Sequence, residues 1–202
     1  MSRSRKSPVT APAPVPESAA PGAALLAIDL QSSLLGALPA ATAAAVTARA
    51  SLSLAAAATL RIPIFFSEQV PAKLGPTAPA LRALATSAPV FAKTAFSALA
   101  EPALLDALRA QSIEHLLIIG LETPVCVYQS ALGALAEGFQ VTILSDAVAG
   151  RRAEDHATVL AALRHSGITV LPVETVLYAL LHNAGHPDFR AVTALVKTHV
   201  TP

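Results

Sequence analysis

The chain has 202 residues, of which 53% are hydrophobic and only 13% are charged, and its formal net charge is +1. Residues 1–22 carry a charge of +2, so the remainder carries −1 and offers no basic face for nucleic acid. The single cysteine excludes an intrachain disulfide and a cysteine-rich zinc site, and it is typical of a reducing compartment. The length suits one α/β domain.

The first 22 residues differ from the rest of the chain. They hold five prolines among Ala, Ser and Thr and have almost nothing to bury, which predicts a disordered tail before a domain over residues 23–198. No apolar segment near the start resembles a secretory signal, and residues 30–48 are too weakly apolar to predict a membrane span. We therefore expect a cytoplasmic protein without a membrane partner. The Arg- and Ser-containing, acid-poor start leaves mitochondrial targeting open as an alternative.

Strands and helices are predicted to alternate along the domain. Short apolar runs predict strands over residues 23–28, 62–66, 89–92, 116–119, 139–144 and 168–173. Helices are predicted over residues 40–60, 101–111, 124–137, 154–165, 176–183 and 186–197. Residues 67–79, which hold a glycine and three prolines, predict a loop. This alternation favours a mostly parallel sheet covered by helices on both faces.

The stretch around Cys126 predicts a strand–helix–strand unit with a thiol at the start of its helix. Thr123 is a good N-cap, Pro124 suits the first helical position, and Gly138 suits the left-handed residue after the helix. Unpaired N–H groups and the helix dipole would favour a thiolate at Cys126. The alternative is a small buried hydrophobic residue, which is common for a lone cysteine.

Three ionisable residues stand at the ends of predicted strands. They are Asp29, Lys93 and Cys126, and the carboxyl ends of parallel strands meet at one rim of the sheet, where ligands bind. A carboxylate can accept the thiol proton and an ammonium can stabilise negative charge, so the set suits nucleophilic catalysis. Taken alone, Asp29 is slightly better explained as a turn or cap residue.

These residues lie in segments that resemble a known family, the isochorismatase-like cysteine hydrolases, which include nicotinamidases and N-carbamoylsarcosine amidohydrolases. Within it, the similarity is greatest to the isochorismatase domain-containing proteins. The resemblance covers roughly residues 23–198, and its main segments are LLAIDLQ at 25–31, FAKTAFSAL at 91–99 and LLIIGLETPVCVYQSALGALAEGFQVTILSDA at 116–147.

The resemblance implies a fold and a catalytic triad. The fold is a single Rossmann-like three-layer α/β domain with a six-stranded parallel sheet in the order 3-2-1-4-5-6. In the triad, Asp29 is the base, Lys93 the cationic partner and Cys126 the nucleophile. The resemblance also implies a non-proline cis bond at Leu121–Glu122 and an oxyanion hole formed by the backbone N–H groups of Glu122 and Cys126. The Glu122 side chain either supports the site or is a solvated loop residue.

The resemblance also bears on metal and substrate binding. Metal-dependent nicotinamidases place Asp and His ligands after the second strand, where this chain reads SEQV at 67–70, and its first histidine is His115. We therefore expect no metal and no cofactor. Glu68, Gln69, Phe96 and Tyr128 are candidate substrate contacts. The alternative is loop exposure for the first two and core packing for the two aromatic residues.

Five further charged or titratable positions have less specific interpretations. Asp146 is expected to anchor a loop or cap a helix. Arg151 and Arg152 are either a solvated pair or a site for an anionic substrate group. His156 and His165 lie nine residues apart on one predicted helix and point in different directions, so they predict no ligand pair.

The sequence thus predicts a hydrolase that uses a cysteine nucleophile on a small amide or carbonyl substrate through a covalent intermediate. Hydrolysis of a vinyl ether or another C–O bond is one alternative, because isochorismatase itself cleaves a vinyl ether. A non-catalytic scaffold that keeps the fold is another. The expected partners are a small-molecule substrate and further copies of the chain in a homo-oligomer, with no nucleic acid.

Overall fold

A parallel β-sheet forms the centre of the structure, a computed structural model that describes residues 20–199. Its strands are β1 (Ala23–Ile28), β2 (Ile64–Gln69), β3 (Val90–Lys93), β4 (His115–Leu121), β5 (Gln140–Ala149) and β6 (Thr169–Leu171). All neighbours are parallel, and the order is β3-β2-β1-β4-β5-β6, which confirms the predicted six-stranded topology. The predicted tail lies outside the described residues except for 20–22, which form a turn into β1.

Helices cover both faces of the sheet. The longer ones are α2 (Ala40–Thr59), α5 (Pro102–Ala110), α6 (Tyr128–Ala136), α7 (Ala153–His165), α8 (Val173–Leu181) and α9 (Phe189–His199). Three short helices are α1 (Ser32–Gly36), α3 (Pro71–Leu74) and α4 (Pro79–Arg82). Single 3₁₀ turns lie at Ala83–Ala85 and Ala98–Ala100, and a π-helical turn lies at Thr123–Val127.

The core has two parts because successive side chains of a strand point to opposite faces. In β1, Leu25 and Ala27 pack with α2, α8 and α9, while Leu26 and Ile28 pack with α5, α6 and α7. Helix α2 is long and apolar enough to cross a membrane by length and composition alone. Its buried apolar residues pack in the sheet core.

Two boundaries correct the sequence-based assignment. Ser67, Glu68 and Gln69 belong to β2 rather than to a loop, because they continue the parallel pairing with β3. The fifth strand does not end at Leu144, as predicted, because β5 continues to Ala149 after a shift in its register with β4. The end of β4 is therefore held by strand pairing on both sides, with β1 up to Gly120 and with β5 up to Leu121.

Candidate active site

The site lies at the carboxyl ends of β1, β3 and β4. Asp29 directly follows β1 in a left-handed conformation (φ 55°), Lys93 is the last residue of β3, and Cys126 lies in the π-helical turn after β4. All three are buried, with 0%, 3% and 3% of their surfaces exposed. The fold therefore brings together the three ionisable residues that the strand ends predicted.

Close packing of β4 against β1 fixes the position of the strand ends that carry the site. Gly120 in β4 has φ 142°, and a Cβ atom there would lie 2.1 Å from the carbonyl oxygen of Ile28 in β1. Only a glycine permits this approach without movement of the backbone. The residue that follows β1 is Asp29, so the glycine sets the distance between the two strands that carry the acid and the thiol.

A π-helical turn positions Cys126. The Tyr128 N–H donates to the Thr123 carbonyl, and the Val127 N–H donates to the Glu122 carbonyl at 3.3 Å, which is the i→i+5 pattern. The predicted N-cap at Thr123 is wrong, since this side chain is fully buried and contacts His156 Nδ1 at 3.0 Å through its hydroxyl. Such π turns are frequent at functional sites.

The predicted cis bond at Leu121–Glu122 is also wrong, because no peptide bond in residues 20–199 is cis. Glu122 instead takes a left-handed conformation, with φ 56° and ψ 56°. The chain turns from β4 into the π-helical segment at this residue.

The Asp29 and Lys93 side chains form a buried ion pair. Lys93 Nζ lies 2.8 Å from Asp29 Oδ2, and the side chains are 1% and 0% exposed. The ammonium also donates to Gln69 Oε1 at 2.6 Å and to the carbonyls of Ala95 (3.4 Å) and Phe96 (3.2 Å). A buried ammonium with this many acceptors is compensated in its charged form.

Burial changes the acid–base character of the other two groups. Burial raises the pKa of Asp29 above its ordinary value, against the opposing effect of Lys93. Burial, the largest cause, and the Asp29 charge together raise the pKa of Cys126 to about 12, against the opposing effect of the Lys93 charge. Contrary to the expectation from the helix start, the resting group is therefore a thiol. Because its pKa is raised, the Asp29 carboxylate beside this thiol is a better proton acceptor than an ordinary carboxylate.

Gln69 lies among these groups, whereas Glu68 does not. Gln69 Oε1 faces Cys126 Sγ at 4.0 Å, and its Nε2 donates to the Thr94 carbonyl at 2.9 Å, which orients the oxygen towards Lys93. Glu68 Oε1 accepts hydrogen bonds from the N–H (2.7 Å) and hydroxyl (2.8 Å) of Thr77. Glu68 therefore holds the loop after β2 in place.

Gln31 is a residue that the sequence analysis missed. It is fully buried, its Oε1 accepts from the Gln69 N–H at 2.8 Å, and its Nε2 donates to the carbonyls of Gln69 (3.1 Å) and Gly75. A side-chain amide thus pairs with the backbone at the end of β2. The available signal was its position two residues after Asp29, at the same strand end.

Cys126 opens into a cavity of about 380 Å³. Its other lining residues come from five segments of the rim: Leu34, Ala37, Gln69, Phe96, Glu122, Val125 and Arg151. Phe96 is 51% exposed at this cavity, whereas Tyr128 is half-buried and packs against the core next to Cys126. Of the four candidate substrate contacts, Gln69 and Phe96 therefore line the cavity, and Glu68 and Tyr128 do not.

The remaining candidates have structural partners. Asp146 Oδ1 accepts from the Val173 N–H at 2.8 Å and so caps α8, as predicted. Arg151 pairs with Glu122 and lines the cavity, while Arg152 pairs with Asp155 on the surface. His156 faces the π turn rather than His165. Residues 20–199 contain no group of three or more His, Cys, Asp or Glu side chains suited to hold a metal.

Comparisons with known proteins agree with this geometry. The family model described as the isochorismatase domain matches residues 23–175. Isochorismatase domain-containing protein 2A of Mus musculus is 36% identical over 152 residues, which cover 75% of this chain and 72% of the mouse protein. Isochorismatase family protein 1A of Dictyostelium discoideum is 36% identical over 141 residues, which cover 67% of this chain and 68% of that protein.

A solved structure extends the similarity to most of the chain. The MAR1 ribonuclease from Caenorhabditis elegans superposes with a TM-score of 0.83 at 28% identity, covering 90% of this chain and 93% of the worm chain. The sheet order, the residues matched by the family model and the identity to the relatives all indicate the same family. The chain belongs to the isochorismatase-like hydrolase family.

Proposed function

We propose that this protein hydrolyses a small amide or carbonyl substrate with Cys126 as the nucleophile. The observation that supports this most strongly is the position of one thiol, which lines a cavity of about 380 Å³ beside a fully buried carboxylate–ammonium pair. A cavity of this size suits a small molecule. Burying both charges of the Asp29–Lys93 pair is costly, so their retention next to a thiol favours a chemical role over a scaffold role.

The reaction we propose has two halves. Asp29 accepts the proton of Cys126 as Sγ attacks the substrate carbonyl carbon, and the carbonyl electron pair moves to its oxygen. The backbone N–H groups of Glu122 and Cys126 are the proposed donors to that oxyanion. Collapse of the intermediate expels the amine, which takes the proton from Asp29 and leaves a thioester.

Water completes the cycle. Asp29 accepts a proton from water as the water oxygen attacks the thioester carbonyl, and the thiol leaves with that proton. The products are a carboxylic acid and free Cys126. Lys93 takes no part in these proton transfers; its proposed role is to balance, as a cation in contact with Asp29, the negative charge that moves between Asp29 and Sγ.

The test is a substrate panel assayed with the wild type and with Cys126→Ala. The panel contains primary amides, carbamoyl compounds, enol ethers and RNA, the last because the worm neighbour is named a ribonuclease. We expect amide hydrolysis by the wild type, an acyl adduct on Cys126 in quenched samples by mass spectrometry, and no activity in a folded Cys126→Ala variant. Turnover of enol ethers alone would reassign the bond to C–O. Amidase activity that survives in Cys126→Ala would refute the cysteine mechanism.

A further inference from the structure

The cavity at Cys126 has one ion pair in its wall. Four of its lining residues are apolar: Leu34, Ala37, Phe96 and Val125. The charged residues that line it are Glu122 and Arg151, which bind each other through two contacts, Nε to Oε1 at 3.1 Å and Nη2 to Oε2 at 3.2 Å. The Asp29–Lys93 pair beside the thiol is likewise neutral as a unit.

The two members of this pair differ in exposure. The Glu122 side chain is 13% exposed, whereas that of Arg151 is 63% exposed. Arg151 can therefore move into water at little cost, because its guanidinium is already largely hydrated. Glu122 cannot do the same, and it would be left as a mostly buried carboxylate without its cation if Arg151 bound another anion.

This asymmetry has a consequence for the charge of the ligand. An anionic group that recruits Arg151 takes the cation away from Glu122 and approaches a carboxylate of like charge. A neutral group leaves the pair intact. A cationic group can replace Arg151 on Glu122 while Arg151 turns into solvent.

We infer that the Glu122–Arg151 pair is a charge filter that admits neutral and cationic substrates to Cys126 and rejects anionic ones. The inference rests on the proposed function in taking Cys126 as the reacting group. It narrows the substrate to an uncharged or amine-bearing amide with a small apolar portion, and it assigns Arg151 to binding Glu122 rather than to binding a substrate anion.

The test uses two alkylating reagents of similar size, neutral iodoacetamide and anionic iodoacetate. Because Cys126 is the sole cysteine, alkylation of the full chain reports this site without any need for turnover. The quantity measured is the ratio of the iodoacetamide rate to the iodoacetate rate, divided by the same ratio for N-acetylcysteine at the same pH. We expect a normalised ratio of about 10 or more, the effect of a like charge in a partly desolvated site.

Substitutions of Arg151 and Glu122 test whether this ion pair causes the preference for the neutral reagent. Arg151→Gln should raise the ratio, because Glu122 then stands uncompensated, and Glu122→Gln should lower it, because Arg151 is then a free cation. Arg109→Gln is the matched control, since Arg109 is 57% exposed, pairs with Glu137 on the surface and does not line this cavity. It should leave the ratio unchanged.

Three outcomes would overturn the filter. They are a normalised ratio near or below 1 in the wild type, a ratio that falls in Arg151→Gln, and failure of both reagents to label Cys126. The last is measured at about pH 10 over a time long enough for the small thiolate fraction left by the raised pKa to react, so that failure means that the cavity does not lead to the sulfur. The Arg151→Gln result decides the matter even if Glu122→Gln fails to fold. A clear neutral preference without hydrolysis of any panel compound would refute the proposed function and leave the filter standing.

Discussion

The buried charges of Asp29 and Lys93 stabilise each other. Asp29 and Lys93 have essentially no exposed side-chain surface, so removal of one leaves the other charged in a poorly solvated place. Their effects on the thiol are opposite, since Asp29 raises the pKa of Cys126 and Lys93 lowers it. The three residues therefore act as a unit, and we expect the effects of double substitutions to be far from additive.

Gln69 should contribute to activity through its hydrogen bond with Lys93. Gln69→Leu keeps approximate size but removes the oxygen that accepts from Lys93 Nζ at 2.6 Å. A hydrogen bond to a charged group contributes about 1.5–3 kcal/mol, so we expect kcat/KM to fall about 10- to 100-fold. Gln140→Leu, at an exposed glutamine of β5, is the control. Activity equal to that of the control would show that Gln69 does not position the ammonium.

At the scale of elements, the contact between β1 and β4 should be sensitive to a single methyl group. Gly120→Ala introduces a Cβ 2.1 Å from the Ile28 carbonyl oxygen, in a residue with φ 142°. Gly167→Ala is the matched control, because Gly167 also has a positive φ (84°) but has no atom within 4 Å of the added Cβ.

We expect the control to cost about 1–2 kcal/mol and Gly120→Ala to cost about 4 kcal/mol or more in the free energy of unfolding. Urea denaturation of both variants measures the difference. Equal losses would mean that the two strands separate easily, and that this glycine does not set the spacing of the site.

Helix α7 should couple stability to pH through His156. Burial lowers the pKa of His156 below its ordinary value of 6.5, and the ring contacts the buried Thr123 of the π turn. As pH falls below about 6.5 the unfolded chain takes up a proton before the folded one does, so stability is lost with decreasing pH. Burial lowers the pKa of His115 too, which contributes in the same direction.

His156→Gln removes the titration and keeps a polar partner for Thr123. We expect the free energy of unfolding to fall less between pH 7.5 and pH 5.5 in this variant than in the wild type. Urea denaturation at the two pH values measures this. An identical fall in both proteins would assign the pH dependence to other groups.

The elements illustrate what the sequence predicts well. The buried runs of β1 and β4 are continuous and apolar, and their strands were predicted within one or two residues of their observed ends. The polar end of β2 was assigned to a loop because polar side chains are not typical of a buried strand. The side chains of Ser67, Glu68 and Gln69 form hydrogen bonds with partners that the local sequence does not reveal. The cap at Thr123 failed for the same reason, since its partner is on α7.

At the scale of the whole molecule, the sheet order brings together residues far apart in the chain. Asp29, Lys93 and Cys126 could be grouped from the sequence, because parallel strands place their carboxyl ends at one rim. The arrangement of Gln31 and Gln69 could not, because it depends on the path of the loop between β2 and α4. The homo-oligomer stays a prediction, which light scattering on the purified protein can test.

The whole protein should work without a metal ion. Residues 20–199 hold no suitable cluster of ligands, and Glu68, at the end of the strand where related enzymes bind metal, is used by Thr77. Dialysis against EDTA should leave kcat unchanged, with the same dialysis without chelator as the control. Loss of activity that zinc or manganese restores would contradict this reading.

The most direct test of the account is the pH dependence of Cys126 alkylation by iodoacetamide in the wild type, Asp29→Asn and Lys93→Ala. The buried anion raises the pKa of the thiol and the ammonium lowers it. We therefore predict a lower apparent pKa in Asp29→Asn, although its turnover falls about 10²–10⁴-fold with the loss of the base. We predict a higher apparent pKa in Lys93→Ala. Shifts in the same direction, or no shift in either variant, would contradict the assignment of these two residues to Cys126.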